Sequence, residues 1–329
     1  MGRPRIVHLV DDTTAGGVMR VLDHIMTAPP MGELADHSLQ RIDRGKVSLA
    51  GMDADIVVSH LAVSWRAMPM LMALRLRHPN TPLVHVEHSY TEAFVALNVA
   101  RKGRFATLLR LAYGLFNRVV AVSQAQGDWL VRSGAVPMAK LDVIRSCVDL
   151  SAFRAVPALA TPPRVIGAIG RLDRQKGFDT LIRAFRNLPQ TDIALHIYGE
   201  GDQEAALRAL AGDDPRIRFM GFSADPVAAM AAVDIVAMSS AWEAYGLVAI
   251  EALAAGRGLL VNDIDGLVDH APNGAQTVEG GTVAAWQRAL ADAVGDATPK
   301  APSKPRSSQF LEDAFVAGWR DLTARLSPR

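Results

Sequence analysis

The stretch that decides the fold is RVIGAIGRLDRQKGFDTLIRAF, residues 164–185. It opens with an apolar, β-branched run that has the length of a buried strand. A basic loop follows, and Gly177 allows a tight turn before apolar residues recur at helical spacing. The stretch therefore predicts a strand, a loop and a helix, which is the repeating unit of parallel sheets covered by helices.

The same unit recurs on both sides of this stretch. Towards the N-terminus, helical stretches near residues 18–26 and 65–77 alternate with the apolar runs RIVHLV, DIVVSH, PLVHVEH and RVVAVS. Towards the C-terminus, helices are predicted from Asp202 and after Tyr245, among the runs IALHIYG, IRFMGF, DIVAMSS and GLLVND. The pattern predicts an α/β protein from end to end.

Two proline-containing stretches without periodicity divide the chain. They are AVPALATPP, residues 155–163, and ATPKAPSKPRSS, residues 297–308, and both are predicted to be linkers. They bound two predicted domains, residues 1–154 and 164–296. A last helix is predicted over about 309–326, and we expect it to return to the N-terminal domain, because its apolar face must be covered. That face consists of Phe310, Leu311, Ala314, Phe315, Trp319 and Leu322.

Composition narrows the class of protein. Half of the 329 residues are hydrophobic, which suffices for two cores, yet no run approaches the ~20 apolar residues of a membrane-spanning helix. The N-terminus lacks the hydrophobic region and cleavage site of a secretory signal, so we expect a cytoplasmic protein. The one cysteine, Cys147, excludes an intramolecular disulfide and a multi-cysteine zinc site.

Charge is distributed unevenly between the two halves. The net charge of +1 makes no case for nucleic-acid binding. Residues 1–154, however, carry 18 basic against 13 acidic residues, while the remainder carries 17 against 21. A basic N-terminal half fits an anionic partner or membrane surface, and it equally fits a solvated basic face.

The basic residues are densest in the stretch 100–118, which also contains many large apolar residues. A helix there can lie at the inner face of an anionic membrane, or it can pack on its own sheet with its arginines in water. The basic residues are Arg101, Lys102, Arg104, Arg110 and Arg118, and the apolar ones are Phe105, Leu108, Leu109, Leu111, Leu115 and Phe116.

The loop after the first strand of the second domain has the chemistry of an anion site. Arg171, Arg174 and Lys176 lie between that strand and the N-terminus of a helix. Side-chain cations and free backbone N–H groups can then act on the same diphosphate. The alternative is that these residues are merely solvated.

The second chemical signal is SSAWEAYGLVAIEALAAG, residues 239–256. Glu243 and Glu251 are eight residues apart, a spacing that on a helix brings side chains to one face. Between them Tyr245, Gly246 and Leu247 can offer backbone N–H groups to phosphate oxygens. The alternative is a capping glutamate followed by an exposed helical one.

The two segments together resemble glycosyltransferase family 4, whose members are retaining enzymes. The family's G-R-L, K-G and D-x-L-I elements correspond to residues 170–172, 176–177 and 179–182, and its E-x-F-G-L-x-x-x-E block to residues 243–251 with tyrosine for phenylalanine. Between them, Gly199-Glu200-Gly201 resembles its glycine turn, and Gly221-Phe222 resembles its segment beside the nucleotide base. The resemblance implies the GT-B fold, two Rossmann-like domains facing across a cleft.

The resemblance also implies roles for individual residues. Arg171 and Lys176 would neutralise the diphosphate of a nucleotide sugar, Glu243 would contact the sugar, and Glu251 would hold the ribose. Gly199, Gly221, Phe222, Tyr245, Gly246 and Leu247 would line the rest of the donor site.

The N-terminal half matches the family less closely. Thr14-Ala15-Gly16-Gly17-Val18 resembles the glycine loop that approaches the donor or acceptor, with Gly16 and Gly17 as its binding residues. His88, at the end of the run PLVHVEH, corresponds to a histidine near the reacting sugar. The alternative is that His88 only makes local hydrogen bonds.

Three departures affect the loops. Ser146-Cys147-Val148-Asp149 replaces the family's Asn-Gly before Val-Asp, Gly258 replaces a proline, and Asp265-Gly266 replaces a Gly-Gly turn. Asp263-Ile264-Asp265 also imitates a D-x-D metal motif, but it lies outside that motif's structural context. We therefore expect no metal.

The function implied is transfer of a hexosyl group from a nucleoside diphosphate sugar to a glycan or lipid-linked hydroxyl. The donor would be a substrate, and no cofactor is expected. Synthesis of cell-surface polysaccharide or glycolipid would fit, by a cytoplasmic enzyme that can associate with the membrane's inner face. The alternatives are a nucleotide-sugar epimerase or hydrolase with the same fold, and an inactive scaffold.

Overall fold

The computed structural model describes residues 2–14, 16–43, 52–159, 163–295 and 308–327. It divides the chain into two compact units, Met1–Asp149 with Leu311–Arg329, and Leu150–Phe310. Each unit contains one six-stranded sheet whose paired strands are parallel. The predicted linkers 155–163 and 297–308 lie partly outside the described residues.

The strands and helices of the described residues alternate along the chain. The strands are β1 Arg5–Val10, β2 Asp36–Arg41, β3 Ile56–Ser59, β4 Leu83–Glu87, β5 Arg118–Ala121, β6 Leu141–Val143, β7 Val165–Ile169, β8 Ala194–Tyr198, β9 Ile217–Gly221, β10 Ile235–Met238, β11 Gly258–Asn262 and β12 Gln276–Val278. The α-helices are α1 Gly17–Thr27, α2 Pro29–Leu34, α3 Met68–Arg77, α4 Glu92–Asn98, α5 Lys102–Gly114, α6 Gln124–Arg132, α7 Ser151–Arg154, α8 Phe178–Arg186, α9 Glu204–Ala211, α10 Pro226–Ala231, α11 Leu247–Ala254, α12 Val283–Val294 and α13 Gln309–Leu326. Short 3-10 turns span Met138–Lys140, Arg174–Lys176, Asp265–Asn273 and Glu279–Gly281.

The sheet of the first unit has the order β2-β1-β3-β4-β5-β6. Its central strands β3 and β4 are buried along their whole length, because helices cover both faces of a parallel sheet. Leu71 and Leu74 of α3 and Leu108 and Leu109 of α5 join the same core as strand residue Val57. After β2 the chain crosses to the other side of β1, so the switch point lies between β1 and β3. The predicted glycine loop follows β1 at this point, and the predicted histidine, His88, follows β4, the next strand after β3.

The C-terminal helix α13 packs on the first unit, which confirms the prediction that it returns there. Phe315 and Trp319 are both 3% exposed. The Phe315 ring lies 5.7 Å from that of His24, and the Trp319 ring lies 5.9 Å from that of His8. Leu311, Phe315, Trp319 and Leu322 of the predicted apolar face are buried, whereas Ala314 is exposed and Phe310 is half-buried.

The sheet of the second unit has the order β12-β11-β10-β7-β8-β9. Its switch point lies between β7 and β10, from which the chain runs outward in both directions. Phe185 of α8 and Trp286 of α12 are fully buried in its core. The amphipathic spacing of residues 178–186 thus places an apolar helix face against the sheet, as predicted.

The described elements differ from expectation at the sheet edges. Strands β2, β6 and β12 were not predicted, and each lies at the edge of its sheet. The helix predicted from Trp65 begins only at Met68. The boundary between the units falls at Asp149, shortly before the predicted linker, because α7 packs against α10 and α11 of the second unit.

Candidate active site

The basic loop of the second unit is clamped to the end of β10. Gly177 has a left-handed backbone (φ 61°, ψ 27°), and a Cβ there would come within 2.3 Å of the Ser239 carbonyl oxygen. The Ser239 hydroxyl donates to the carbonyls of Lys176 and Gly177 over 2.9 and 3.0 Å. The Asp173 side chain accepts from the Lys176 N–H. Glycine is required at 177 because two loops from neighbouring strands touch there.

This clamp brings together two predicted site residues, Lys176 and Glu243. The Lys176 Nζ lies 2.5 Å from the Glu243 Oε2, and the two side chains are only 15% and 13% exposed. The Ser240 hydroxyl donates to the same oxygen over 3.1 Å. A cation and a carboxylate are therefore paired at the carboxyl ends of β7 and β10, where both can meet a charged ligand.

The backbone of Glu243 is held from the following loop. The Gly266 N–H donates to the Glu243 carbonyl over 3.0 Å, and the Glu243 N–H donates to the Asp265 Oδ2 over 3.4 Å. Asp265 has φ 41°, and no other non-glycine residue that the structure describes has a positive φ. The aspartate that replaces the family's glycine thus adopts a glycine-like conformation and supports Glu243.

Sequence reasoning missed Asn262, which organises the same loops. Its side-chain amide donates to the carbonyls of Ser239 and Ser240 over 3.0 and 2.8 Å, and its Oδ1 accepts from the Trp286 indole over 2.7 Å. Both functions of the buried amide are satisfied. A polar residue at the end of an apolar strand was the signal available in the sequence.

Arg171 is placed differently from Lys176. Its side chain is 76% exposed and pairs with Asp173 over 3.2 Å. The Arg171 side chain therefore lies at the surface of the loop, whereas Lys176 of the same loop is paired with Glu243. Asp263, the other candidate metal ligand besides Asp265, is also exposed. In the described part of the chain, no group of three or more His, Cys, Asp or Glu side chains is arranged around a metal position.

Helix α11 starts at Leu247 with Gly246 (φ 86°) as its N-cap, so the helix begins where it was predicted, after Tyr245. Glu243 precedes the helix, and the eight-residue spacing therefore does not place Glu243 and Glu251 on one helical face. Glu251 lies within the helix and is 2% exposed. Tyr245 is buried with its ring 4.6 Å from that of His270, whose Nε2 donates to the Tyr245 carbonyl.

The remaining predicted donor residues lie at the ends of β8 and β9. Gly199 has φ 134°, and its N–H donates to the Gly221 carbonyl over 2.8 Å. A Cβ at Gly199 would come within 1.9 Å of the Gly170 carbonyl oxygen, so the ends of β7, β8 and β9 adjoin closely. Phe222 is 68% exposed, which leaves its ring available to stack on a planar ligand.

The glycine loop of the first unit does not need glycine for its own backbone. Gly16 is extended (φ −175°) and caps α1, Gly17 is the first residue of that helix, and both are exposed. A Cβ at Gly16 would make only an ordinary 3.7 Å contact with the Thr14 carbonyl oxygen. Ala15 lies outside the described residues.

His88 follows β4 and is held by another histidine. Its Nε2 lies 2.8 Å from the His60 Nδ1. Burial lowers the pKa of His88 to about 4, although the neighbouring Glu87 carboxylate acts in the opposite direction. The ring is therefore neutral at pH 7, which suits a hydrogen-bonding role better than that of a permanent cation.

Glu87 organises the turn that follows His88. Its Oε1 accepts from the N–H groups of Ser89 and Tyr90 over 2.7 and 2.9 Å, and its Oε2 accepts from the Tyr113 hydroxyl over 2.6 Å. Burial alone would raise the pKa of Glu87, but the nearby His85 ring, 3.5 Å away, and the hydrogen bonds from Tyr113 and the Tyr90 N–H outweigh it, and the pKa is lowered. The sequence had indicated only that Glu87 lies beside His88.

Comparisons with known proteins agree with both units. A family model described as glycosyltransferase family 4 matches residues 7–152, and a model described as glycosyl transferases group 1 matches residues 163–296. Together they match more than half of the chain. The chain belongs to glycosyltransferase family 4. Lys176 and Glu243 both lie within the part of the chain that the glycosyl transferases group 1 model matches.

Curated relatives of this chain are named for several acceptors. A phosphatidyl-myo-inositol mannosyltransferase from Mycobacterium leprae is 29% identical over 65% of this chain and 57% of its own length. An N-acetylgalactosaminyltransferase from Campylobacter jejuni that is named for a diphospho-undecaprenol glycan is 29% identical over 47% of this chain and 44% of its own length. The matches thus span about half of these relatives. A D-inositol 3-phosphate glycosyltransferase from Paenarthrobacter aurescens is 26% identical over 90% of this chain and 78% of its own.

Solved structures share the fold over nearly the whole length. HepE of Anabaena, in a structure with UDP and glucose, has a TM-score of 0.73 at 19% identity and covers 98% of this chain and 99% of its own. A sucrose-phosphate synthase from Thermosynechococcus elongatus has a TM-score of 0.72 at 19% identity and covers 98% of this chain and 99% of its own. At this identity the likeness establishes the GT-B fold, as the sequence predicted.

Proposed function

We propose that this glycosyltransferase moves a hexosyl group from a nucleoside diphosphate sugar to a hydroxyl of a glycan or lipid-linked acceptor, retaining the anomeric configuration and using no metal. The observation that carries the proposal is the enclosed pair of Lys176 and Glu243. It lies at the switch point of a parallel sheet, which is where this class of fold binds its ligands.

The pair can divide its work when a donor binds. A diphosphate competes with Glu243 for the Lys176 ammonium, and Lys176 then stabilises the charge that develops on the leaving group. Glu243 is freed to accept hydrogen bonds from sugar hydroxyls. Arg171, on the same loop, adds a second cation, Phe222 offers a stacking surface to the base, and Glu251 is the proposed ribose ligand.

Retention would follow from a reaction on one face of the sugar. In this proposal the leaving phosphate oxygen takes the proton of the acceptor hydroxyl as the new glycosidic bond forms on that face. No covalent sugar-enzyme intermediate is invoked, and the rate comes from positioning and charge stabilisation. A nucleotide-sugar hydrolase would release nucleoside diphosphate without an acceptor, whereas the proposed transferase requires one.

A lipid-linked acceptor is supported by the names of the relatives. The M. leprae enzyme is named for phosphatidyl-myo-inositol, the C. jejuni enzyme for a diphospho-undecaprenol, and a 31% identical Rhizobium meliloti relative for lipopolysaccharide core synthesis. By the same analogy, we propose a role in cell-surface polysaccharide or glycolipid synthesis.

The donor site is tested by thermal denaturation with a panel of uridine and guanosine diphosphate sugars. At 100 times its Kd, one member of the panel is expected to stabilise the protein by about 2.7 kcal/mol, since only the folded state binds it. Lys176→Met should reduce the increase in Tm, whereas Arg186→Met, on the exposed face of α8, should retain it. A panel without any effect on the wild-type protein would contradict the proposed function.

Metal independence is tested by removing free metal. Transfer is expected to continue at an undiminished rate in excess EDTA, because Lys176 and Arg171 would supply the positive charge that a metal otherwise provides. The rate is measured by release of nucleoside diphosphate in the presence of acceptor. Loss of activity in EDTA and its recovery on adding magnesium or manganese would instead point to Asp263 and Asp265.

The surface around α5 is proposed to contact an anionic membrane by charge. Its apolar residues Leu108 and Leu109 are buried in the unit's own core. Leu111 is 51% exposed, and Arg104, in the first turn, lies 5.5 Å from the Trp65 ring. The described part of the chain contains no helix with the length and hydropathy of a membrane span. The structure thus leaves mainly basic side chains for such a contact.

Vesicle flotation tests the membrane contact. The protein is expected to float with anionic vesicles at low salt and not with neutral ones, because basic residues near an anionic surface contribute roughly 1 kcal/mol each. Binding should weaken as salt is raised. Replacing Arg101, Lys102 and Arg104 by glutamine should abolish flotation. Equal flotation of this variant, or none of the wild-type protein at low salt, would remove the proposal.

A further inference from the structure

A buried asparagine at the end of β11 links helix α12 to the loops that carry the ion pair. The Asn262 side chain is 7% exposed, and its Oδ1 accepts from the indole N–H of the fully buried Trp286 over 2.7 Å. Its Nδ2 donates to the Ser239 and Ser240 carbonyls over 3.0 and 2.8 Å. Because an indole N–H can only donate, it fixes the amide oxygen towards α12 and leaves both amide protons to face the end of β10.

The two serines that Asn262 holds are the serines that contact the ion pair. The Ser239 hydroxyl donates to the Lys176 carbonyl over 2.9 Å, and the Ser240 hydroxyl donates to the Glu243 Oε2 over 3.1 Å. The two serines are 3% and 1% exposed. One amide therefore supports the loop of the lysine through one serine and the carboxylate of the glutamate through the other.

The surroundings of the amide are closely packed. A Cβ at Gly281, in the turn before α12, would come within 3.1 Å of both the Oδ1 and the Nδ2 of Asn262. The backbone of Gly281 has φ 57°, so a glycine brings the chain close to the amide here. In a shielded and close-packed environment each hydrogen bond keeps its geometry and polarises the next. A change at Asn262 is therefore transmitted to the end of β10.

This support matters most when the ion pair separates. In the proposed function Lys176 leaves Glu243 for the diphosphate of the donor, and the carboxylate then loses its cation. The Ser240 hydroxyl still holds the Glu243 Oε2, because its own backbone is fixed by the Asn262 amide. Catalytic charges are effective only where they are preorganised at the positions at which charge develops. The hydrogen bonds from Asn262 supply such preorganisation without touching the substrate.

We propose that Asn262, oriented by Trp286, is a positioning residue for sugar transfer. Through the two serines it sets the places of Lys176 and Glu243, and it keeps Glu243 in place when Lys176 engages the diphosphate. The reaction in this inference rests on the proposed function, whereas the coupling between Asn262 and the ion pair does not. A displaced pair weakens charge stabilisation in the transition state, so the loss appears in kcat rather than in the KM of the donor.

Asn262→Leu removes the amide at similar volume and tests this role. Its kcat is expected to fall about tenfold, the equivalent of one hydrogen bond, with a donor KM that changes by less than about twofold. Trp286→Phe, which keeps an aromatic ring but lacks the indole N–H, should lower kcat in the same direction. The control is Leu290→Ala, which leaves a cavity in the core on the same helix and should keep the wild-type kcat below its Tm. An equal loss of kcat in Leu290→Ala would overturn the inference.

A second background separates positioning from a general loss of stability. In the variant Lys176→Met with Glu243→Gln, adding Asn262→Leu should lower kcat by less than about twofold, because its effect runs through the missing pair. Without substrate, Asn262→Leu should also lower the urea midpoint of unfolding less in this background than in the wild-type protein. Equal effects in the two backgrounds would overturn the inference. Failure of the proposed function would appear separately, as a wild-type protein that transfers no sugar, and it would leave the denaturation result standing.

Discussion

Lys176→Ala is expected to lower kcat by about two orders of magnitude or more, because it removes a preorganised cation from the position where leaving-group charge would develop. Single-turnover rates with saturating donor would measure the effect on the chemical step. Arg171→Ala, which removes the exposed cation of the same loop, is expected to lower the rate in the same way. Arg171→Ala removes an exposed side chain, so its folding should be little affected.

The matched control is Arg174→Ala. Arg174 lies in the same 3-10 turn and is exposed, and the family resemblance assigns it no role although it belongs to the same basic loop. It should retain nearly full activity, which would separate loss of a specific cation from a general change in loop charge. If Lys176→Ala kept full activity, the diphosphate assignment would fail.

A double variant separates catalysis from the structural role of the ion pair. Lys176→Ala leaves the Glu243 carboxylate, 13% exposed, without its cation, and this can cost stability. Lys176→Met combined with Glu243→Gln removes both charges while keeping similar volumes. Its Tm should lie near that of the wild-type protein while its activity stays low. Recovery of activity together with Tm would show that the pair acts only in folding.

Gly199→Ala is expected to destabilise the second unit strongly. A Cβ at 1.9 Å from the Gly170 carbonyl oxygen cannot be accommodated without moving the backbone, and φ of 134° is a conformation that alanine rarely adopts. The cost in the free energy of unfolding should be about 3 kcal/mol or more. Chemical denaturation, followed by the fluorescence of Trp286 in the same unit, would measure it.

Gly221→Ala provides the comparison for this effect. Gly221 also has a positive φ, 73°, but a Cβ there would have no neighbouring atom within 4 Å. Only the backbone cost of about 1–2 kcal/mol should remain. Equal destabilisation of the two variants would mean that the contact between the ends of β7 and β8 is looser than the structure indicates.

Hydrophobic periodicity identified the strands at the centre of each sheet but missed three at the edges. A buried strand such as β3 reads as an uninterrupted apolar run, because helices cover both of its faces. Strand β2 has the sequence DHSLQR, with no buried residue, and its register is set only by pairing with β1. An edge strand of this kind has no apolar period from which it could be recognised.

The residue types of the candidate donor site could be predicted from the sequence, but the side chains with which they pair could not. Lys176 and Glu243 follow strands that are far apart along the chain, and they meet because β7 and β10 are neighbours in the sheet. Asn262 was missed for the same reason, since its amide joins a loop that follows a different strand. The prediction that Glu243 and Glu251 share a helical face was wrong, because Glu243 precedes the helix, which begins at Leu247.

The sequence by itself determined the alternation of strands and helices, the two domains, the family blocks and the basic loop beside a helix. Local spacing and residue chemistry are sufficient for each of these. Tertiary structure alone decided the hydrogen bond between His60 and His88, because these residues follow β3 and β4, which are separated along the chain and adjacent in the folded sheet. Hydrogen bonding acts over about 3 Å, so it depends on which strands are neighbours in the folded sheet.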